Sequence, residues 1–215
     1  MQSRAITIPK TARFATLGQP TMALKQVWYV FHGYGQLAIE FLQEFAYIAD
    51  GSRYFIAPEG LSRFYCSGVT GKVGASWMTR EDRLYEIYDY LNYTNAVYET
   101  VKNELPNQNI KKVLLGFSQG VATVCRWLEQ VNIEADRLIL WAGTIPPEID
   151  LWKIKAHYPD LQVFLVVGTQ DHFAHPGMIK EDEARLEKFE LHYKKIRFEG
   201  KHELHPPTLR KLSEF

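Results

Sequence analysis

Short apolar runs alternate along the chain with longer stretches in which apolar residues recur every three or four positions. The short runs cover residues 27–31, 54–57, 112–117, 137–141, 162–167 and 193–198. They are rich in Val, Ile, Leu and aromatic residues, and most end at a Gly or Pro, which predicts strands. Two weaker runs, 5–8 and 13–16, predict an N-terminal hairpin at a sheet edge. Between strands, residues 37–49 bring Phe41, Phe45 and Ile48 to one helical face. Residues 81–105 repeat that spacing from Leu84 to Val101 until Pro106 stops it. Residues 119–131 and 178–190 complete the helical set. Strands alternating with helices predict an α/β fold whose central, mainly parallel sheet carries helices on both faces. In such sheets ligands bind beyond the carboxyl ends of the strands, so chemistry is expected in the loops that follow them.

No repeat or polar linker divides the 215 residues, which predicts one domain over 1–215. Lys plus Arg and Asp plus Glu are both 25. That balance, with no basic run interleaved with aromatics, argues against nucleic acid as a partner. No run approaches the roughly 18 apolar residues of a membrane span. Residues 1–9 are too few and too polar for a signal peptide. Cys66 and Cys125 are far apart, which suits two free thiols in a reducing compartment, with the cytoplasm as the expected location. Nothing in the pattern speaks to oligomeric state.

The most informative stretch is Gly116-Phe117-Ser118-Gln119-Gly120, where a buried run passes through G-x-S-x-G into a helical one. A strand turning sharply into a helix crowds its own neighbours, and a β-carbon at Gly116 or Gly120 would clash. The turn presents the Ser118 hydroxyl at a helix N-terminus, whose free N–H groups favour a developing oxyanion. A serine hydroxyl needs a base and a group to orient that base. Asp171 follows the run 162–167, and His202 follows the last run, in the order acid then histidine that this fold uses. Asp150 and Asp160 are rivals for the acid, although Asp160 precedes its strand and belongs at the opposite sheet end. His205 is a rival for the base, pressed against Pro206 and Pro207. His172 and His175 stand in the acid loop, where both are candidates to line the pocket. The pairs His172/His175 and His202/His205 raise a metal site, but neither H-E-x-x-H nor a cysteine-bearing set accompanies them, so no metal is expected.

Two N–H donors must face the oxyanion formed in acyl transfer. Gln119, directly after the serine, offers one. The Gly-flanked Tyr34, in the loop after the first long strand, is the candidate for the other. Residues 59–80 are polar, Gly-rich and irregular, which suits a lid or pocket loop. Its Phe64, Tyr65, Trp77 and Met78, with Phe173, are candidates to line an apolar acyl pocket of modest size, or else to anchor the loop.

These residues resemble the phospholipase/carboxylesterase family of α/β-hydrolases, which includes bacterial carboxylesterases and acyl-protein thioesterases. The resemblance runs from about Val27 to His202. It rests on His32-Gly33-Tyr34-Gly35, Ala57-Pro58, Ser76-Trp77, the Gly-Phe-Ser-Gln-Gly motif, the Gly143 to Pro146 turn, Gly168 with Asp171, and Gly200 with His202. It implies the α/β-hydrolase fold and cofactor-free hydrolysis of a small-molecule ester or thioester. The implied residues are Ser118, Asp171 and His202 as the triad, with Tyr34 and Gln119 as oxyanion donors. The chain departs from the family at Gln36, where an acidic residue is usual, and at Phe173-Ala174-His175-Pro176, where a hydrophobic-Pro ending is usual. The 59–83 stretch also differs from common members. A peptidase, a lactonase, a non-catalytic binding member and a metal-dependent hydrolase are the competing functions.

Overall fold

The computed structural model describes residues 1–2, 4–106, 109–174 and 176–214. Seven strands form one sheet in the order β1-β3-β2-β6-β7-β8-β9. They are β1 (Phe14–Leu17), β2 (Gln26–Phe31), β3 (Arg53–Pro58), β6 (Lys111–Phe117), β7 (Arg137–Trp141), β8 (Gln162–Gly168) and β9 (Tyr193–Phe198). All neighbours are parallel except β1, which runs antiparallel to β3 at the edge. A second, two-stranded sheet pairs β4 (Ser62–Tyr65) with β5 (Val73–Ser76).

Alternation along each strand feeds two cores. From β2, Val27, Tyr29 and Phe31 point to one face, while Trp28 and Val30 point to the other. The first face is covered by α2 (Arg83–Glu104), α3 (Gln119–Gln130), α4 (Leu151–His157) and α5 (Pro176–Lys188). The second is covered by α1 (Ala38–Gln43) and α6 (Pro206–Ser213), through Phe41, Leu42, Leu209 and Leu212. Burial on both faces explains why β2 reads as a continuous apolar run. This is the mainly parallel α/β arrangement that the sequence pattern predicts, and it agrees with the α/β-hydrolase fold that the resemblance implies.

Several expectations need correction. Residues 5–8 form no strand, and Ile6 and Ile8 are exposed. Pro9, which has no N–H to donate, follows directly, and β3 takes its edge partner from residues 14–17 instead. The helix expected over 37–49 stops at Gln43, and a 3-10 turn at Ala46–Ile48 follows, with Phe45 driven into the core between them. Residues 59–80 hold the β4–β5 hairpin, which is joined to the loop after β2 by a bridge between Gln36 and Ala75. Two helices were not anticipated. Asp150 caps α4 by accepting the Lys153 N–H at 3.2 Å. Pro206 and Pro207 open α6, at positions where no intrahelical donor is needed.

Candidate active site

The loops after β2, β6, β8 and β9 all leave the carboxyl edge of the sheet, and they carry Tyr34, Ser118, Asp171 and His202 respectively. Ser118 has φ 54° and ψ −117°, a backbone conformation that a non-glycine residue adopts only when its surroundings impose it. Those surroundings are visible. The Ser118 N–H donates to Trp141 O at 2.8 Å, and its carbonyl accepts the Val121 N–H at 3.0 Å. A β-carbon on Gly116 would stand 2.5 Å from the Gly120 carbonyl oxygen, so the strand-to-helix turn closes only with glycine there. A β-carbon on Gly168 would likewise meet the Gly200 carbonyl at 2.5 Å, and this close approach brings the Asp171 and His202 loops together.

His202 Nε2 lies 2.8 Å from Ser118 Oγ, across 84 positions of sequence. Its Nδ1 lies 2.9 Å from Asp171 Oδ2. The other carboxylate oxygen of Asp171 accepts the N–H groups of Phe173 at 2.9 Å and Ala174 at 3.2 Å. The Asp171 side chain is buried, which strengthens its hold on the imidazole by excluding water. The imidazole itself sits between two rings, Phe117 at 5.0 Å and Phe173 at 4.9 Å.

The loop after β2 is held from several sides. His32 is fully buried, and its Nε2 accepts the Gly60 N–H at 3.0 Å. Nδ1 therefore carries the proton and donates to Gly33 O at 2.7 Å. Burial pushes the His32 pKa below its ordinary value, which keeps the ring neutral. Gln36 Oε1 accepts the Gly33 N–H, and the Gly35 N–H donates to Ala75 O at 2.9 Å. Among the described residues the Tyr34 N–H has no hydrogen-bond partner. The Gln119 N–H opens α3 and has no carbonyl four residues back within the helix.

The remaining candidates separate. Phe64 is half-buried and lies 5.0 Å from the exposed Tyr34 ring, and Tyr65 is exposed on the hairpin. Phe173 is 78% exposed beside the imidazole. Met78 is half-buried, its sulfur 3.7 Å from Arg126 Nη1. Trp77 is 1% exposed and packs inside the core against Phe31, His32 and Tyr90, so it anchors its loop rather than facing an open pocket. His172 is exposed in the acid loop, and His175 lies outside the described residues. His205 stacks on Phe198 at 4.9 Å and reaches Thr208 Oγ1 at 2.9 Å, away from the serine. Among the described residues no three His, Cys, Asp or Glu side chains gather as a metal-ligand set.

Sequence reasoning missed Glu59. Its buried carboxylate is paired with Arg13 at 2.8 Å and Arg63 at 2.6 Å, and it accepts the Ala38 N–H at 3.1 Å. Burial alone would raise its pKa, but these donors hold it below the ordinary carboxylate value. It thus ties the N-terminal segment, the hairpin and α1 to the end of β3, beside the Tyr34 loop. Its place directly after the strand-ending Pro58 was the available signal.

No curated protein matches the chain. Among solved structures, esterase PE8 aligns with a TM-score of 0.71 at 18% identity, over 94% of this chain and 96% of that one. Acyl-protein thioesterase 2 of Zea mays aligns with a TM-score of 0.71 at 15% identity, over 94% and 96%. The Bacillus cereus carboxylesterase gives 0.67 at 15% identity, over 94% and 91%. At such identities these likenesses establish the fold. The model of the phospholipase/carboxylesterase family matches residues 17–215. The chain therefore belongs to the phospholipase/carboxylesterase family of hydrolases.

Proposed function

We propose that this chain is a serine hydrolase that cleaves carboxylic esters or thioesters through an acyl-enzyme formed on Ser118. The observation that carries the proposal is the unbroken line from Asp171 through His202 to Ser118, with hydrogen-bonding separations of 2.9 and 2.8 Å. His202 Nε2 takes the Ser118 proton as Oγ attacks the acyl carbon. The N–H groups of Tyr34 and Gln119 receive the oxyanion. As the tetrahedral adduct collapses, the bond to the leaving oxygen or sulfur breaks, and His202 returns the proton to that atom. Water, deprotonated by the same imidazole, then releases the carboxylic acid and restores Ser118. Asp171 keeps the proton on Nδ1 and stabilises the imidazolium that forms in each half-reaction.

Support for an ester or thioester substrate comes from the family and from aligned structures named as esterases and a thioesterase. The exposed rings of Tyr34, in the loop after β2, and of Phe173, 4.9 Å from the His202 imidazole, suit an apolar acyl group of modest size. Pre-steady-state hydrolysis of p-nitrophenyl esters of increasing chain length tests the reading. A burst of p-nitrophenol with an optimum at short to medium chains is expected. Linear release without a burst, and no dependence on chain length, counts against the acyl-enzyme and the apolar site. Activity falls at acid pH, because a protonated imidazole cannot act as base.

A further inference from the structure

The two oxyanion donors come from segments far apart in sequence, the loop after β2 and the first turn of α3. Such a site stabilises charge only if its donors keep a fixed spacing, since small displacements of a preorganised N–H weaken it. A third segment, Ser76 to Met78, is hydrogen-bonded to both. The Trp77 indole N–H donates to His32 O at 2.9 Å, one peptide before the Gly33–Tyr34 turn. The Trp77 backbone N–H donates to Gln119 Oε1 at 3.1 Å. Gln119 Nε2 donates to Met78 O at 2.8 Å and reaches Ser76 Oγ at 3.2 Å. The Trp77 ring also stacks on the His32 imidazole, with centroids 5.0 Å apart and planes 30° from parallel. Two residues before Trp77, Ala75 exchanges two backbone hydrogen bonds with Gly35 and Gln36.

We propose that Trp77 and the Gln119 carboxamide are positioning residues that set the spacing of the Tyr34 and Gln119 N–H groups. Gln119 then serves the same site twice, with its backbone as a donor and its side chain as the tie. This rests on the assignment of Ser118 as nucleophile and of those two N–H groups as donors. A carboxamide is required because it must accept from Trp77 and donate to Met78 at once. A carboxylate cannot donate and a thioether is too weak an acceptor.

The test compares Trp77→Phe and Gln119→Met with Trp127→Phe, reading kcat and KM on a p-nitrophenyl ester alongside thermal melting. Trp127 is a matched control. It is buried on the same sheet face, and its indole N–H has no hydrogen-bond partner among the described residues. In both tie variants kcat falls about 10- to 100-fold while KM stays within about threefold, less than removal of a whole donor costs. Trp127→Phe keeps kcat within about twofold of wild type despite a lowered melting temperature. Should Trp77→Phe not fold, Gln119→Met alters only a half-buried side chain of similar length and decides alone. Unchanged kcat in the tie variants overturns the proposal, and so does an equal fall in Trp127→Phe. Wild-type protein with no esterase activity overturns the serine-hydrolase reading instead, so the two failures are told apart.

Discussion

Gln36 Oε1 accepts the Gly33 N–H at 2.7 Å, closing the turn from which Tyr34 projects. With the Gly33 carbonyl taken by His32, both polar groups of Gly33 are fixed. The usual family residue here is acidic. Glutamine supplies an acceptor without adding a negative charge beside the proposed oxyanion site. Gln36→Leu, which removes the acceptor at similar volume, is expected to lower kcat about tenfold, the equivalent of about 1.4 kcal/mol in the transition state. Steady-state kinetics checks this, and a wild-type kcat would show that the turn holds its shape without Gln36.

Asp171→Asn is expected to reduce kcat by about three to four orders of magnitude with KM little altered, because an amide facing Nδ1 can favour the wrong imidazole tautomer. The amides of Phe173 and Ala174 still find an acceptor in the asparagine oxygen, so the loop keeps its shape. A rate near wild type would remove Asp171 from the mechanism.

Phe173→Ala strips one ring from the side of the imidazole while changing little buried surface. Melting temperature should move little. KM for apolar acyl esters should rise roughly three- to tenfold, in line with about 1 kcal/mol of lost aromatic contact. Unaltered KM across a chain-length series would place the acyl group elsewhere.

Asp182 predicts how stability responds to pH. Burial raises its pKa to about 6, against the opposing pull of the Ile145 N–H that it accepts at 3.1 Å. Its folded pKa lies above the unfolded value, so the native state holds the extra proton. Its contribution is full below about pH 4 and is lost as pH rises through about 6. Asp182→Asn keeps an acceptor for Ile145 and never ionises. Its melting temperature should match wild type near pH 4 and exceed it at pH 8, by about 1–2 kcal/mol of stability. An advantage that shrinks with rising pH would contradict the assignment.

The central strands were legible because residues buried on both faces leave unbroken apolar runs, as in β2 and β6. Ser118 and Asp171 were legible as candidates because each follows such a run, and His202 because it follows Gly200 after the last strand-like run, β9, which is only partly buried. The β4–β5 hairpin was not, since its stability comes from the bridge to Gln36 and from Glu59 rather than from its own Gly- and Ser-rich sequence. Helix α6 is short and opens on Pro206 and Pro207, which suit a first turn but carry no apolar periodicity to mark it in the sequence. Helix α4 buries only Leu151 and Ile154, too little periodicity to stand out. The roles of Glu59 and Trp77 rest on partners distant in sequence, Arg13 and Ala38 for the first and His32 and Gln119 for the second.

The most direct measurement is labelling with a fluorophosphonate probe, followed by mass analysis of the peptide carrying the adduct. One adduct is expected, on the Ser118 peptide, abolished in Ser118→Ala and slowed in His202→Ala, with both variants folded. No adduct on the wild-type chain, or an adduct that persists in Ser118→Ala, would contradict the assignment of Ser118 as nucleophile.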